Sequence, residues 1–127
     1  MYRWPKFLCY ILFSGFCFSA CNYESAALQG VWQADAFYQN DQLQSVVLDS
    51  IRLQCSENGL YEFHSTGFYH EKGRYRVAGK YLFVTDSTAA TPSERAIKIL
   101  SLAGDSLKLE MRDQNAQKQV LVFKKTG

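Results

Sequence analysis

From Ser106 to Arg112 the chain alternates strictly, with Leu107, Leu109 and Met111 apolar and Lys108, Glu110 and Arg112 charged. Successive side chains of a strand point to opposite faces, so this beat describes a strand with one buried and one wet side. The same beat recurs. Ile51, Leu53 and Cys55 alternate with Arg52 and Gln54; Tyr61 and Phe63 alternate with Glu62 and His64 in a strand expected over Leu60 to Thr66; Tyr75 and Val77 alternate with Arg74 and Arg76. Tyr81 to Thr85 carries Leu82 and Val84, Glu94 to Leu102 carries Ile97, Ile99, Leu100 and Leu102, and Gln119 to Lys124 ends the pattern. A first strand is expected over Gly30 to Phe37. Residues 41–47 read equally as a short helix or a loop, and Gly67 and Gly73 bracket a short strand or loop.

Turn residues separate these runs: Asn58-Gly59, Ala78-Gly79-Lys80, Ala103-Gly104-Asp105 and Asp113-Gln114-Asn115. Asn-Gly between alternating runs predicts a hairpin whose two central residues both take positive φ. About eight short strands with no helical run of ten residues predict an all-β fold. Sequential hairpins favour an up-and-down antiparallel meander, and closing it into a small barrel removes its exposed edges. A two-sheet β-sandwich is the alternative.

Before the alternation begins, the chain has another character. Arg3 and Lys6 precede a nearly unbroken apolar run from Phe7 to Phe18, the pattern of a secretory signal. The run falls short of the roughly 20 apolar residues a spanning helix needs. Removing residues 1–20 leaves 107 of the 127 residues, enough for one small domain. It also takes Arg3 and Lys6 from the 14 basic residues, leaving 12 against 12 acidic ones. That balance gives no reason to expect a nucleic-acid partner. Cys9 and Cys17 leave with the signal, so Cys21 and Cys55 remain, too few for a disulfide framework. Cys55 is expected as a small buried side chain, with a Cys21–Cys55 bridge as the competing arrangement.

Phe18-Ser19-Ala20-Cys21 resembles the lipobox of bacterial lipoproteins, with Phe18 standing where leucine is usual. The resemblance implies that the chain is cut before Cys21, that Cys21 is the lipid attachment site, and that acyl chains of the palmitate kind hold the protein in a membrane through its N-terminus. Two or three chains make such attachment effectively permanent, at about 0.8 kcal/mol per buried methylene. Asn22 in place of an aspartate points to the outer membrane. Residues 21–27, small or polar, suit a lipidated tether, with the domain occupying 28–127.

Within that domain, Gly30-Val31-Trp32 is similar to the Gly-x-Trp start of lipocalin-like proteins. The later runs Gly73-Arg74-Tyr75-Arg76-Val77, Asp105-Ser106-Leu107-Lys108-Leu109 and the Val122-Phe123-Lys124-Lys125 ending follow the succession found in small bacterial lipocalin-like lipoproteins. This resemblance covers Leu28 to the end and implies an eight-stranded barrel. Gly30 would permit close backbone approach, and Trp32 would fill the closed end while its indole N–H finds an acceptor.

The apolar phase of the strands names the candidate ligand cavity: Trp32, Leu53, Tyr61, Phe63, Tyr75, Val77, Leu82, Val84, Leu107 and Leu109. A barrel of this size is either filled by its side chains or holds one small ligand. Tyr61 or Tyr75 would orient a polar group inside. No catalytic residue is expected: Ser65 and Ser101 have no base and carboxylate in a nucleophile pattern. No metal or other cofactor is expected either, because His64 and Glu62 share a face but lack a third ligand. Lys72, Arg74, Arg76 and Lys80 form a basic stripe, read as a solvated outer face. The expected function is a non-enzymatic, membrane-anchored lipoprotein that binds or carries a small hydrophobic molecule. The alternative is an envelope interaction module whose filled barrel docks another protein or a polysaccharide-handling complex.

Overall fold

The computed structural model describes residues 22–65 and 69–127. The expected signal and Cys21 lie outside them. Nine strands follow one turn of helix: α1 (Ser25–Leu28), β1 (Gly30–Gln39), β2 (Gln42–Leu43), β3 (Arg52–Cys55), β4 (Leu60–His64), β5 (His70–Ala78), β6 (Tyr81–Asp86), β7 (Glu94–Ala103), β8 (Ser106–Arg112) and β9 (Lys118–Lys125). From β3 to β9 every strand pairs antiparallel with the next, β1 pairs with β3, and β1–β9 pairing closes the ring. The result is an eight-stranded up-and-down barrel, with β2 added beside the far end of β1. It is not a sandwich.

Two bulges keep apolar residues inward where strict alternation fails. In β7, Ile99 and Leu102 both face the core although they stand three positions apart; the register shifts between Ile99 and Ser101, which leaves Leu100 exposed. In β1 a shift between Ala34 and Ala36 brings Trp32, Ala34 and Phe37 to the inside. One extra residue flips the phase and bends the strand, as barrel closure requires.

The turns differ from expectation in one informative respect. Asn58 is not in the positive-φ region; only Gly59 is, at +83°. Gly59 N–H donates to Ser56 O and Ser56 N–H to Leu60 O, so Glu57-Asn58-Gly59 is a three-residue loop with glycine in the left-handed position. The two-residue turn with both centres at positive φ is instead Asn40-Asp41, at 51° and 67°, joining Gln39 to Gln42. Asn and Asp tolerate that region better than other side chains. Residues 41–47 are therefore a hairpin arm and a loop, not a helix.

The barrel has a closed and an open end. At the closed end lie α1, the start of β1 and the turns at 56–59, 78–81 and 103–106; Leu28, Trp32, Leu82, Ile99, Leu107 and Phe123 are almost wholly buried in the core. Trp32 Nε1–H donates to Leu28 O at 2.8 Å, the acceptor a buried indole needs. Gly30, at φ +132°, lets the chain pass Lys125 and the Gly127 carbonyl; a Cβ there would lie 2.6 Å and 2.7 Å from them. Residues 22–27 of the expected tether are described, while Cys21 lies outside. Tyr23 packs against the core and its N–H bonds Gly79 O, while 25–28 form α1, so ordered structure begins ahead of Leu28. Apolar Tyr23 and Leu28 have the closed end to cover, which composition alone did not show. Cys55 is a buried free thiol.

Candidate functional site

The open end of the barrel holds a cavity of about 440 Å³. Leu53, Phe63, Val84, Ile97, Leu109, Met111, Leu121 and Phe123 give it apolar walls, and Tyr61, Ser65, Tyr69, Glu71 and Arg95 supply its polar groups. A second hollow of about 320 Å³ beneath Val46 and Val47 shares Phe63, Ser65, Met111 and Leu121 with it. The size falls within the range that accommodates small-molecule ligands, roughly 300–1,000 Å³.

Of the ten residues named from the apolar phases, Leu53, Tyr61, Phe63, Val84 and Leu109 line this cavity. Trp32, Tyr75, Val77, Leu82 and Leu107 do not; they pack towards the closed end as core. The division follows height along each strand, which alternation does not encode. Tyr75 bonds Ser56 O at 2.7 Å, so its hydroxyl serves the lower turn rather than the cavity.

Glu71 organises the polar side. It is 3% exposed, the one charged residue in the core among the described residues. Tyr61 Oη donates to one carboxylate oxygen at 2.5 Å, Tyr69 Oη to the other at 2.6 Å, and the Arg95 guanidinium pairs with the oxygen that Tyr61 also uses. Burying a carboxylate is costly unless it is paired and hydrogen-bonded, and here both conditions hold. Among the described residues no buried side-chain polar atom lacks a partner. Arg95 lines the cavity and remains half exposed, with guanidinium donors beyond the nitrogen bonded to Glu71.

Glu71 and Arg95 were absent from the sequence expectation, yet they carried a legible signal. Glu71 is in phase with Gly73, Tyr75 and Val77, and Arg95 with Ile97 and Ile99. A charge in the inward phase of a strand marks a polar group aimed into a barrel. Treating 67–73 as a short strand or loop broke that phase; β5 in fact starts at His70.

The network holds its phenols protonated. The Glu71 hydrogen bond, aided by burial, pushes Tyr69 up to about 12, and burial followed by the Glu71 bond raises Tyr61 further. Burial alone pushes the Cys55 thiol up to about 12, and chiefly burial does the same for Tyr75. A folded-state value raised above the unfolded one means that the native state binds more protons, so the contribution is present below the unfolded value and lost as pH rises. For Cys55 the loss begins near pH 9 and for the tyrosines near pH 10, continuing towards 12. Denaturant unfolding should therefore show a decline in stability from pH 9 upward, with a shallower slope in Tyr69→Phe. An unchanged slope would mean that Tyr69 does not share a proton-holding network.

On the outer wall the structure overturns one expectation. Glu62 and His64 were read as lacking a third ligand, but the β4–β5 register sets His70 directly opposite His64. Glu62, His64 and His70 form one cluster with potential ligand atoms within 4.8 Å of one another. The histidines stand six positions apart in sequence; strand pairing brings them together. The basic stripe stays exposed, with Arg76 bonded to Glu94 through two nitrogens and lying over the Phe83 ring at 4.2 Å.

Comparison with family models, with curated proteins and with solved structures finds no match to this chain.

Proposed function

We infer that this protein is a lipid-anchored envelope protein whose barrel carries a small amphipathic molecule: an apolar body between Leu53, Val84 and Leu109, and a head with hydrogen-bond acceptors at Arg95. The observation that carries the reading is the open 440 Å³ cavity with a buried, fully partnered carboxylate in its wall. Apolar walls with a few convergent polar groups are the usual form of a small-molecule site. The Glu71–Arg95 pair keeps the pocket near neutral, while spare guanidinium N–H groups favour a carbonyl, hydroxyl or carboxylate on the ligand. A filled barrel that docks an envelope partner is the competing reading; the hollow above Phe123 favours carriage.

The anchor follows from the lipobox-like Phe18-Ser19-Ala20-Cys21 and sets an orientation. Asn22 lies beside Gly79 at the closed end. An anchor on Cys21 would turn the closed end to the bilayer and the mouth away from it, so that cargo is exchanged with the aqueous side or a partner opposite.

The test has two arms. Protein extracted from membranes should show a co-purifying small molecule by native mass spectrometry and bind a naphthylamine probe saturably. Leu109→Trp, which fills the cavity, should weaken the probe at least about tenfold, equivalent to 1.4 kcal/mol. Cys21→Ser should abolish lipid labelling and move the protein to the soluble fraction. Unaltered probe binding in Leu109→Trp would overturn carriage, and undiminished membrane association of Cys21→Ser would overturn the anchor.

A further inference from the structure

We propose that Glu62, His64 and His70 form a surface site for a borderline divalent transition-metal ion, Cu²⁺ or Zn²⁺, clamping β4 to β5 on the outside of the cavity wall. These are the only two histidines in the chain, and both meet at this point. His64 and His70 are cross-strand partners, and Glu62 stands two residues before His64 on the same face. Their imidazole rings stack with centroids 4.4 Å apart and planes 10° from parallel. This brings both Nε2 edges to the same side. His70 Nε2 lies 3.1 Å and His64 Nε2 3.7 Å from one carboxylate oxygen, Glu62 Oε2. Two imidazole nitrogens and one carboxylate oxygen on one face make a three-ligand set that leaves a further position open to solvent.

The distances require only side-chain adjustment. Ligand bonds of about 2.0–2.2 Å place donor atoms closer together than the present outer limit of 4.8 Å, a gap that exposed side chains on fixed strands close by rotation. All three side chains are free to do so, at 36–44% exposure.

Charge selects the type of ion. Arg52 stands opposite His64 on β3, and Lys72 stands opposite Glu62 on β5. One carboxylate between two cations offers little to a hard ion such as Mg²⁺ or Ca²⁺, which depends on oxygen ligands and net negative charge. An ion that gains from imidazole donation can still bind, with Cu²⁺ favoured over Zn²⁺. Neighbouring residues connect the clamp to the interior. Phe63 and Ser65 flank His64, and Tyr69 and Glu71 flank His70, and all four line the cavity. A bound ion would tie together two strands whose inner faces carry the Glu71 network.

Calorimetric titration of the untagged full chain with Cu²⁺, Zn²⁺ and Mg²⁺ tests the proposal, with Cu²⁺ electron paramagnetic resonance as the second measurement. Expected are one Cu²⁺ per chain with hyperfine structure from two imidazole nitrogens, weaker Zn²⁺ binding and no Mg²⁺ binding. Losing even an outer ligand partner typically lowers affinity by about 10–100-fold, so His64→Gln and His70→Gln should each weaken Cu²⁺ at least about tenfold. Glu62→Gln should weaken it less, because an amide oxygen can still reach the ion. The metal-free melting temperatures of these surface variants should match that of the parent. Absence of Cu²⁺ binding by the parent, unchanged affinity in the double histidine variant, or a spectrum without imidazole nitrogens would each overturn the site.

Discussion

Trp32→Ala should lower the free energy of unfolding by about 3–5 kcal/mol, the range for removing a large buried aromatic. Trp32 is 0% exposed and sits where α1, the start of β1 and the end of β9 meet, with the Lys125 ammonium 5.3 Å from its ring centre. Two losses combine: the packing of the indole, and the hydrogen bond that satisfies Leu28 O. Trp32→Phe separates them. It keeps much of the apolar area but leaves the Leu28 carbonyl without its donor, a cost of about 1–3 kcal/mol for an unsatisfied buried group. Guanidinium unfolding followed by circular dichroism measures both variants. A loss below about 1 kcal/mol for Trp32→Ala would remove the indole from the load it is assigned at the closed end.

Gly73→Ala should cost about 3 kcal/mol or more, beyond the 1–3 kcal/mol usual for overpacking. A Cβ on Gly73 would lie 1.8 Å from Thr85 O and 2.9 Å from Ser87 N, both backbone atoms of or beside the adjoining β6. No rotamer change relieves a clash with backbone, so β5 and β6 must separate. Gly73 lies between Tyr61 on β4 and Asp86 on β6, two residues from Glu71. Separation there should also displace the carboxylate and weaken probe binding in step with stability. Gly104→Ala is the control. Nothing lies within 4 Å of its Cβ, and its φ of +59° should cost only about 1–2 kcal/mol. Equal losses at the two positions would show that backbone conformation, not the close approach at Gly73, sets the cost.

Much of the barrel was legible in the chain because a strand displays its environment locally. Ser106 to Arg112 and Arg52 to Cys55 show their buried faces within four to seven residues, and the turns between runs dictate sequential antiparallel pairing. Trp32 fills the closed end for the same reason, since a large indole beside Gly30 has few other places in a small barrel, although it lines no part of the cavity. The Asn58-Gly59 expectation failed in detail because turn type depends on loop length. Three residues rather than two join Ser56 to Leu60, so only Gly59 needs positive φ.

The candidate sites were less legible, since each depends on atoms that meet across strands. Alternation assigned Leu53 and Leu107 alike to the inside, but their height on the strands makes one a cavity wall and the other core. Glu71 meets Arg95 across two strand pairings, at a sequence distance of 24 residues, and His70 meets His64 through the β4–β5 register. Local hydrophobic period thus determined the all-β class, the meander and the inward faces. Register, bulges and the closing β1–β9 pairing determined which inward residues surround empty space and which polar groups touch. A period of two reports the side of a strand; only the relative shift of neighbouring strands sets the atoms opposite it.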